Sequence, residues 1–583
     1  MLEKRVYDCV VIGGGLAGIS AAISSARLGC KVALVQDRPV LGGNSSSEVG
    51  VGISGADGGG NRNARETGII EELRIEDRYR NHLKLKLRNG MVNSIWDIIL
   101  WEWVKKEKNI DLYLNTRAIK ANMESSIRIG SVFAEQTLSE RRFQLEADIF
   151  IDASGDGAVA CSAGAKFRIG RESRNEFGES RAPQIADKWT MGSSLLFRAK
   201  DMGHPVSFNP PFWAYDFPKD EDLPFRKHTP IQSGFWWIEY GGTLDTIKDN
   251  EKIRDELLRI LFGVWDHIKN HGDHGAENFA LDWVSSIPGK RESRRFIGDY
   301  ILTQNDLEKH RLFPDRVAYG GWPIDLHPPQ GIFAKEPPCE NSYPGLYSIP
   351  FRSLYSKNIE NLMMAGRNIS VTHVALGSTR VMATCAVEGQ AVGTAAYLCK
   401  KYNTLPRGIY KNYINELQQL LLKNDCYIIG LKNEDENDLA RKAKVTASSF
   451  KSEEYKPENV ISGVSRPEGN NTNIWISNPN QEMPQYIDLE FDNKKEINTI
   501  SLTFDTNLDK LVEIGPVPEC VRDYTLYFYN GKSWVKILSE TGNYHRHRQH
   551  TFGPIVTKKL RIEVNATNGA NEARIYEIRA EKI

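Results

Sequence analysis

Tyr7-Asp8-Cys9-Val10-Val11-Ile12-Gly13-Gly14-Gly15-Leu16-Ala17-Gly18 is the stretch that decides the fold. Tyr7 to Ile12 is short, apolar and rich in β-branched residues, as a strand buried in a parallel sheet must be. The glycines follow at once, and Ile19 to Leu28 is small and apolar enough for a helix packed on that sheet. Gly29 closes the helix, and Lys31 to Val35 makes a second strand. Gly13, Gly15 and Gly18 therefore stand at the fingerprint spacing of a dinucleotide-binding βαβ unit. The first allows the tight turn, the second lets backbone approach a pyrophosphate, and the third lets helix and strand pack closely. Free N–H groups at the helix start complete a phosphate site. The acid expected about twenty residues on to hold the ribose is replaced by Gln36, whose amide oxygen can accept a hydrogen bond, with Asp37 adjacent. Arg38 beside them is the alternative, a ligand for a 2′-phosphate.

Further segments extend this reading. Pro39-Val40-Leu41-Gly42-Gly43-Asn44-Ser45-Ser46 follows the second strand with small residues that can pass close under a flat ring. Phe150 to Gly157 reads as a strand ending in a Gly-Asp turn, and Asn361 to Asn368 as another strand and turn. Gly377-Ser378-Thr379-Arg380-Val381-Met382 then leads into a helix of small residues with Gly389, Gly393, Ala395 and Ala396.

With Arg291 to Arg295 and Ile324-Asp325-Leu326-His327, these segments resemble, over roughly the first 400 residues, the FAD-dependent oxidoreductase family of the glutathione-reductase type. Within it they are most similar to a branch often found beside polysaccharide-degradation genes. The resemblance implies FAD held at Gly13, Gly15, Leu16, Ala17, Gly18, Gln36, Asp37, Gly42, Gly43, Asn44 and Ser45. It extends the site to Ala118, Ser154, Gly155, Asp156, Gly366, Arg367, Gly377, Ser378, Arg380, Val381 and Met382. It implies that Asp156 bonds the ribityl chain and that Ala118, on a strand Leu112–Ala118, presents backbone to the adenine. Gly377 to Met382 would lie along the pyrimidine edge of the flavin, where helix-terminal N–H groups favour the anionic reduced ring. No histidine stands in the Gly42–Ser47 loop, so the flavin is expected to be non-covalent.

The totals bound the rest. At 583 residues the chain needs two or three domains, and its 75 basic and 75 acidic side chains cancel. That balance gives no electrostatic case for nucleic acid or an anionic membrane. The longest apolar run, Val381 to Leu398, contains Glu388 and Gln390, so no membrane span is expected. The eight cysteines show no close pairing and read as free thiols in a reducing compartment, with no metal. The start carries no apolar leader, which implies a cytoplasmic protein; a leader removed beforehand would make it periplasmic.

The expected fold class is α/β: a Rossmann-like FAD-binding domain in two parts (1–165 and 346–430), an inserted α+β substrate domain (166–345), and an all-β jelly roll (440–583). Seven of the twelve tryptophans fall between Lys166 and Ser342. Most should be core, and Trp236-Trp237, read as strand, must point to opposite faces. Ile253, Leu257, Leu261, Trp265 and Ile268 mark a helix there.

Flavin oxidation of an alcohol needs a base, and the candidates are His373 and His327, with Arg380 and Arg294 as substrate or flavin contacts. Their bland readings are a loop-bonding histidine, a turn pinned before Pro328, and a buried ion-pair lattice.

A Tyr402–Leu422 helix and a solvated linker, Lys432 to Asp438, lead to the C-terminal module. Its period-2 strands, Tyr486 to Phe491 and Tyr524 to Tyr529, and an Asn530-Gly531 hairpin resemble the discoidin-like, coagulation-factor C-domain jelly roll. Ser462-Gly463 replaces the usual Asp-Gly near its calcium loop. Trp475, Tyr544 and His545 are its candidates for carbohydrate contact; the alternative is a module docked on the catalytic core.

The expected substrate is a small polar molecule, a sugar, glycoside or polyol, oxidised by hydride transfer to flavin N5. The alternatives are redox-neutral glycoside cleavage, reduction or desaturation of a C=C bond, and a sugar-binding protein with a structural flavin. The electron acceptor and a homo-oligomeric state stay open.

Overall fold

The computed structural model describes residues 2–82, 92–510 and 514–583. The chain forms two compact units. One comprises the residues up to Gly59 and those after His82 as far as Leu417; the other comprises Gly60–His82 and Gln418–Ile583.

In the first unit the strand Leu2–Ile12 lies between Val32–Val35 and Arg141–Asp152, all parallel, and Ile110–Tyr113 extends the sheet beyond Val32–Val35. Val32–Val35 is buried throughout, as its continuous apolar sequence requires. The strand Arg141–Asp152 serves two neighbours. Its first half carries an antiparallel meander of Arg128–Gln136 and Thr116–Ser125, and its last three residues pair in parallel with Leu362–Met364. The register sets Ile12, Asp152 and Met364 side by side. Three chains thus leave the sheet at one edge, the carboxyl end, where α/β sheets bind their ligands.

The expected strand Leu112–Ala118 is instead two elements. Asn115, at φ 51°, ends Ile110–Tyr113 and lets Thr116–Ser125 turn into the meander, a conformation asparagine tolerates better than most residues. The helix Leu16–Arg27 packs on the helix Met382–Lys401 at backbone distance. A Cβ at Gly389 would stand 2.0 Å from the Ala17 carbonyl oxygen, and one at Gly393 2.1 Å from Ser24 Oγ. Ser25 Oγ closes the contact by donating to the Gly393 carbonyl at 3.0 Å.

The helix Asn250–Asn270 buries Ile253, Leu257, Leu261 and Ile268 against Phe197, Phe235 and Trp237. Trp236-Trp237 is not strand as expected. It is a turn, closed by the Ile238 N–H donating to the Phe235 carbonyl at 3.1 Å. The pair still separates, Trp237 into the core and Trp236 to 41% exposure. The helix expected over Tyr402–Leu422 is also two, Pro406–Asn412 and Ile414–Lys423. Asn403 at φ 46° ends the preceding helix, and Pro406 starts the next one at its first position, where a missing N–H costs nothing.

In the second unit an antiparallel sheet runs in the order Trp475–Ile476, Arg574–Glu581, Gln485–Phe504, His547–Thr567, Val521–Tyr529 and Trp534–Glu540, with Lys444–Ala447 also on Gln485–Phe504. Alternate residues, Ile487, Leu489 and Phe491 among them, fill one core. Asn530-Gly531 makes the expected hairpin, with Asn530 N–H donating to Ser533 O at 3.1 Å and Gly531 at φ 101°. The Lys432–Asp438 segment, expected to be solvated, is tied in. Asn433 and Asp438 are buried, and Asn433 Nδ2 donates to Asp438 Oδ2 at 2.7 Å, which satisfies both groups. Burial lifts the Asp438 carboxyl to about 6. Gly60–His82 adds the helix Ile69–Arg80 to this unit, anchored by a fork from Arg65 to both oxygens of Glu71 at 3.0 and 2.9 Å.

Candidate active site

A cavity of about 980 Å³ opens at the carboxyl edge of the parallel sheet, the upper range for a cofactor site. Gly13, Gly15, Leu16 and Ala17 line it from the first turn, Asp37 and Arg38 from the second strand's end, and Gly42, Gly43 and Asn44 from the next loop. Ser154, Gly155 and Asp156 come from the third strand, Gly366 and Arg367 from the fourth, and Ala118 from the meander. Arg380 and Met382 bring in the start of the long helix Met382–Lys401, whose N-terminal dipole favours negative charge there.

The glycines divide by what surrounds them. A Cβ at Gly13 would meet the Ala153 carbonyl at 2.4 Å, and one at Gly18 the Gly13 carbonyl at 1.8 Å, so both are required by the fold itself. Gly18 does not line the cavity; it packs helix on strand. At Gly15 the nearest protein atom to an added Cβ is Gly43 Cα at 3.9 Å. Nothing among the described residues needs glycine there, and a bare backbone facing the cavity fits a pyrophosphate. Gly15 and Gly42 pair as a parallel bridge, and the Gly42 N–H donates to the Gly14 carbonyl at 2.8 Å. These loops form one continuous backbone surface, which fits a dinucleotide.

Gln36 lines the cavity but its amide is committed. Its Oε1 accepts from the Gly14 N–H at 2.7 Å and its Nε2 donates to the Val40 carbonyl at 3.2 Å, so it braces the two glycine loops. Asp37, with its side chain 65% exposed and 3.9 Å from Arg38, can face a ribose. Ser45 is also a brace: fully buried, it donates to the Gly42 carbonyl at 2.9 Å and accepts from Trp96 Nε1 at 3.1 Å. Ser378 is buried, bonds Tyr347 at 2.6 Å and donates to the Trp322 carbonyl. Gly377 lies against the Asp325 backbone, 3.1 Å from where its Cβ would be, and Val381 is the cap of the long helix. None of Ser45, Gly377, Ser378 and Val381 lines the cavity.

Asp156 sits among cations. Lys290 Nζ lies 2.6 Å from its carboxylate, Arg367 3.5 Å, and Ser293 Oγ donates to it at 2.8 Å. Burial opposes ionisation, but Lys290 and Arg367 hold the carboxyl below its ordinary range. Lys290 and Arg294 also line the cavity, and Arg367 Nη1 is buried with no hydrogen-bond partner among the described residues. Lys290 is not among the site residues expected from the sequence; it stands one residue before the Arg291–Arg295 segment.

Behind the cavity wall lie two histidines and three carboxylates. His373 opens the helix His373–Thr379, is buried, and points Nδ1 at both oxygens of Glu292, at 2.9 and 3.0 Å. Glu292 is fully buried and also faces Arg295 at 3.3 Å. His327 Nδ1 stands 2.8 Å from Glu239, and its Nε2 3.0 Å from Asp325. Arg380 reaches Asp325 at 2.8 Å and Arg291 reaches Glu239 at 3.4 Å. Burial opposes ionisation of Asp325 and Glu239, yet their cationic partners hold both below the usual carboxylate range. Trp236 meets the His327 ring edge-on at 5.6 Å. Neither histidine lines the cavity; Arg380 links it to the His327 cluster, and Lys290 and Arg294 flank Glu292. Glu239, Glu292 and Asp325 were not among the expected catalytic residues, because a buried carboxylate beside a histidine has no signature in the chain.

In the second unit, Trp475 is fully buried and donates to the Ser449 carbonyl at 2.9 Å, which removes it as a carbohydrate contact. Tyr544 stacks on Tyr79 at 3.9 Å and donates to Glu76, which His545 also faces at 3.6 Å. No helix among the described residues is long and apolar enough to cross a membrane.

Residues 8–421 match the family described as FAD dependent oxidoreductase, and residues 444–578 match the F5/8 type C domain, the discoidin-like sandwich. A curated relative, the soluble pyridine nucleotide transhydrogenase of Ectopseudomonas mendocina (strain ymp), is 55% identical over 38 residues, 6% of this chain and 8% of that protein's length. Among solved structures, chitosan-binding module 1 of a chitosanase/glucanase from Paenibacillus sp. IK-5 is 18% identical, with 25% of this chain and 98% of that one covered and a TM-score of 0.20. The family 32 carbohydrate-binding module of C. perfringens NanJ, solved with galactose, is 16% identical, covering 25% and 98%, with a TM-score of 0.21.

Proposed function

The chain belongs to the FAD dependent oxidoreductase family, and on that premise we propose that it oxidises a hydroxyl of a sugar, glycoside or polyol, with His373 accepting the proton. Bound FAD supplies the two-electron acceptor for the hydride. The protein must then take the hydroxyl proton and hold the alcohol in place.

The observation that carries this reading is the pair of His373 and Glu292. Glu292 accepts from Nδ1–H, which leaves Nε2 as the basic nitrogen. No hydrogen bond to that nitrogen occurs among the described residues. An oriented imidazole with one open nitrogen is what alcohol deprotonation needs. His327 is differently placed. Carboxylates flank both its nitrogens, and a neutral ring can donate to only one of them. We assign it to holding Asp325 and Glu239, and Arg380 to the substrate oxygen. A polyhydroxylated substrate is favoured by the cationic groups that the cavity presents, Lys290, Arg294 and Arg380, which can bond hydroxyls, and by the half-exposed ring of Trp236 edge-on to His327.

The test is an anaerobic absorbance scan of the yellow protein against a panel of glycosides, uronates and polyols. Bleaching by one of them, with a carbonyl in the product, supports oxidation. Sugar release without bleaching shifts the assignment to redox-neutral cleavage, and neither result leaves a binder.

A second reading, reduction of a polarised C=C bond, draws on Arg380 as the acid. It lines the cavity, its Nε has no hydrogen-bond partner among the described residues, and burial pushes its guanidinium below the ordinary range. Reoxidation of the pre-reduced protein by an unsaturated acid would select it.

A further inference from the structure

Three histidines and an aspartate converge in the first unit, and none of them lines the cavity or belongs to the His327 and His373 clusters. Asp220 opens the short turn Asp220–Asp222, His228 follows on the next loop, His267 stands in the last turn of Asn250–Asn270, and His274 comes just after it. One ligand atom from each lies within 4.8 Å of all the others.

The distances are those of a coordination shell. His267 Nε2 is 3.0 Å from Asp220 Oδ1 and 3.1 Å from His274 Nε2. His274 Nε2 is 3.5 Å, and His228 Nδ1 3.9 Å, from the same aspartate oxygen. Around a tetrahedral zinc with bonds of about 2.0–2.1 Å, neighbouring ligand atoms stand about 3.3 Å apart.

Hydrogen bonding points the same way. His267 Nδ1 lies 2.7 Å from the Phe217 carbonyl, a contact only an N–H can make. In a neutral ring that leaves a lone pair on Nε2, aimed at a carboxylate oxygen and a second imidazole. Lone pairs facing each other repel, and a cation between them removes the conflict. A backbone carbonyl holding the far nitrogen is also how metal-binding histidines are oriented. The side chain of His228 is 9% exposed, and its Nε2 has no hydrogen-bond partner among the described residues. The three rings stand 4.7 to 4.9 Å apart.

We propose that Asp220, His228, His267 and His274 bind one zinc ion as a closed structural site. Three imidazoles and a carboxylate suit zinc, whereas calcium and magnesium want six or more oxygens and Cu(II) and Ni(II) prefer tetragonal surroundings. The ion ties the loop bearing Asp220 and His228 to the end of the helix Asn250–Asn270. The expectation of no metal rested on the cysteines, which take no part. Nearby, Asp216, Asp266 and His271 form a second acidic group, but His271 pairs with Asp266 at 3.3 Å and Asn270 donates to Asp266 at 2.6 Å. That is an ordinary helix-end ion pair and serves as the control.

The test uses the flavin-loaded full chain, stripped with a chelator and then titrated with zinc or with cobalt. The proposal expects about one zinc per chain and a tetrahedral cobalt spectrum beyond the flavin bands. His274→Gln and Asp220→Asn, changes at the less buried ligands, should weaken zinc binding at least about tenfold while flavin content holds, and His271→Gln should change nothing. A wild-type chain that takes up no zinc overturns the assignment. So does zinc binding that survives both ligand changes, or that is lost with His271→Gln.

Discussion

Glu292 Oε2 lies 2.9 Å from His373 Nδ1, and the same carboxylate spans to Arg295 at 3.3 Å. The carboxylate thereby fixes one tautomer of the imidazole, the one with its Nε2 unprotonated. Glu292→Gln should keep the flavin and slow its reduction by the substrate about 10²–10⁴-fold, because a glutamine that donates to Nδ1 puts the proton on the wrong nitrogen. Stopped-flow reduction under anaerobic conditions measures it. An unchanged rate would make the pair merely structural.

Gly15→Ala separates cofactor binding from folding. Among the described residues its Cβ meets no atom nearer than 3.9 Å, so the apoprotein should unfold at the wild-type temperature. FAD binding should weaken by roughly tenfold, a cost of about 1.4 kcal/mol. Gly18→Ala, with a Cβ 1.8 Å from the Gly13 carbonyl, should lose soluble protein instead. Flavin content and thermal unfolding of both variants decide the point.

Trp236→Ala should leave flavin content untouched and raise KM for the substrate. Loss of an aromatic contact of about 0.5–1.5 kcal/mol predicts a rise of about two- to tenfold. Steady-state kinetics with the best member of the panel gives the answer; an unchanged KM would place the substrate elsewhere.

The second unit should be acid-labile in a defined window. Glu71 is buried, which opposes its ionisation, but Arg65 and Arg78 hold it down from 4.5 to about 2. A carboxyl with a depressed folded-state value contributes fully above about pH 4.5 and loses that contribution as pH falls toward 2. Urea unfolding across this range should show the slope. Glu71→Gln should flatten it and cost about 3–5 kcal/mol at neutral pH, since two buried guanidinium groups lose their partner.

The parallel sheet and its glycine turn were legible because a buried strand followed by a fixed glycine spacing has few alternatives. Gly13, Gly15 and Asp156 come together at one cavity as their motifs implied. What the chain did not reveal is which polar groups the fold consumes. Gln36, Ser45 and Ser378 carry the right chemistry for a cofactor contact, yet each is spent on a partner well away in sequence, Gly14, Trp96 and Trp322 respectively. Glu239 and Glu292 act on residues 88 and 81 positions away, and no local pattern marks such a pair. Trp236-Trp237 failed as strand for a related reason: β-propensity favoured it, and a turn closed by Ile238 prevailed.

If His373 takes the hydroxyl proton as a sugar, glycoside or polyol is oxidised, its loss must slow reduction of the flavin. The most direct measurement compares single-turnover flavin bleaching in the wild-type chain and in His373→Asn, both fully loaded with FAD. Bleaching is expected in the wild type, with a rate about 10²–10⁴-fold lower in the variant. Equal rates in the two proteins would contradict it.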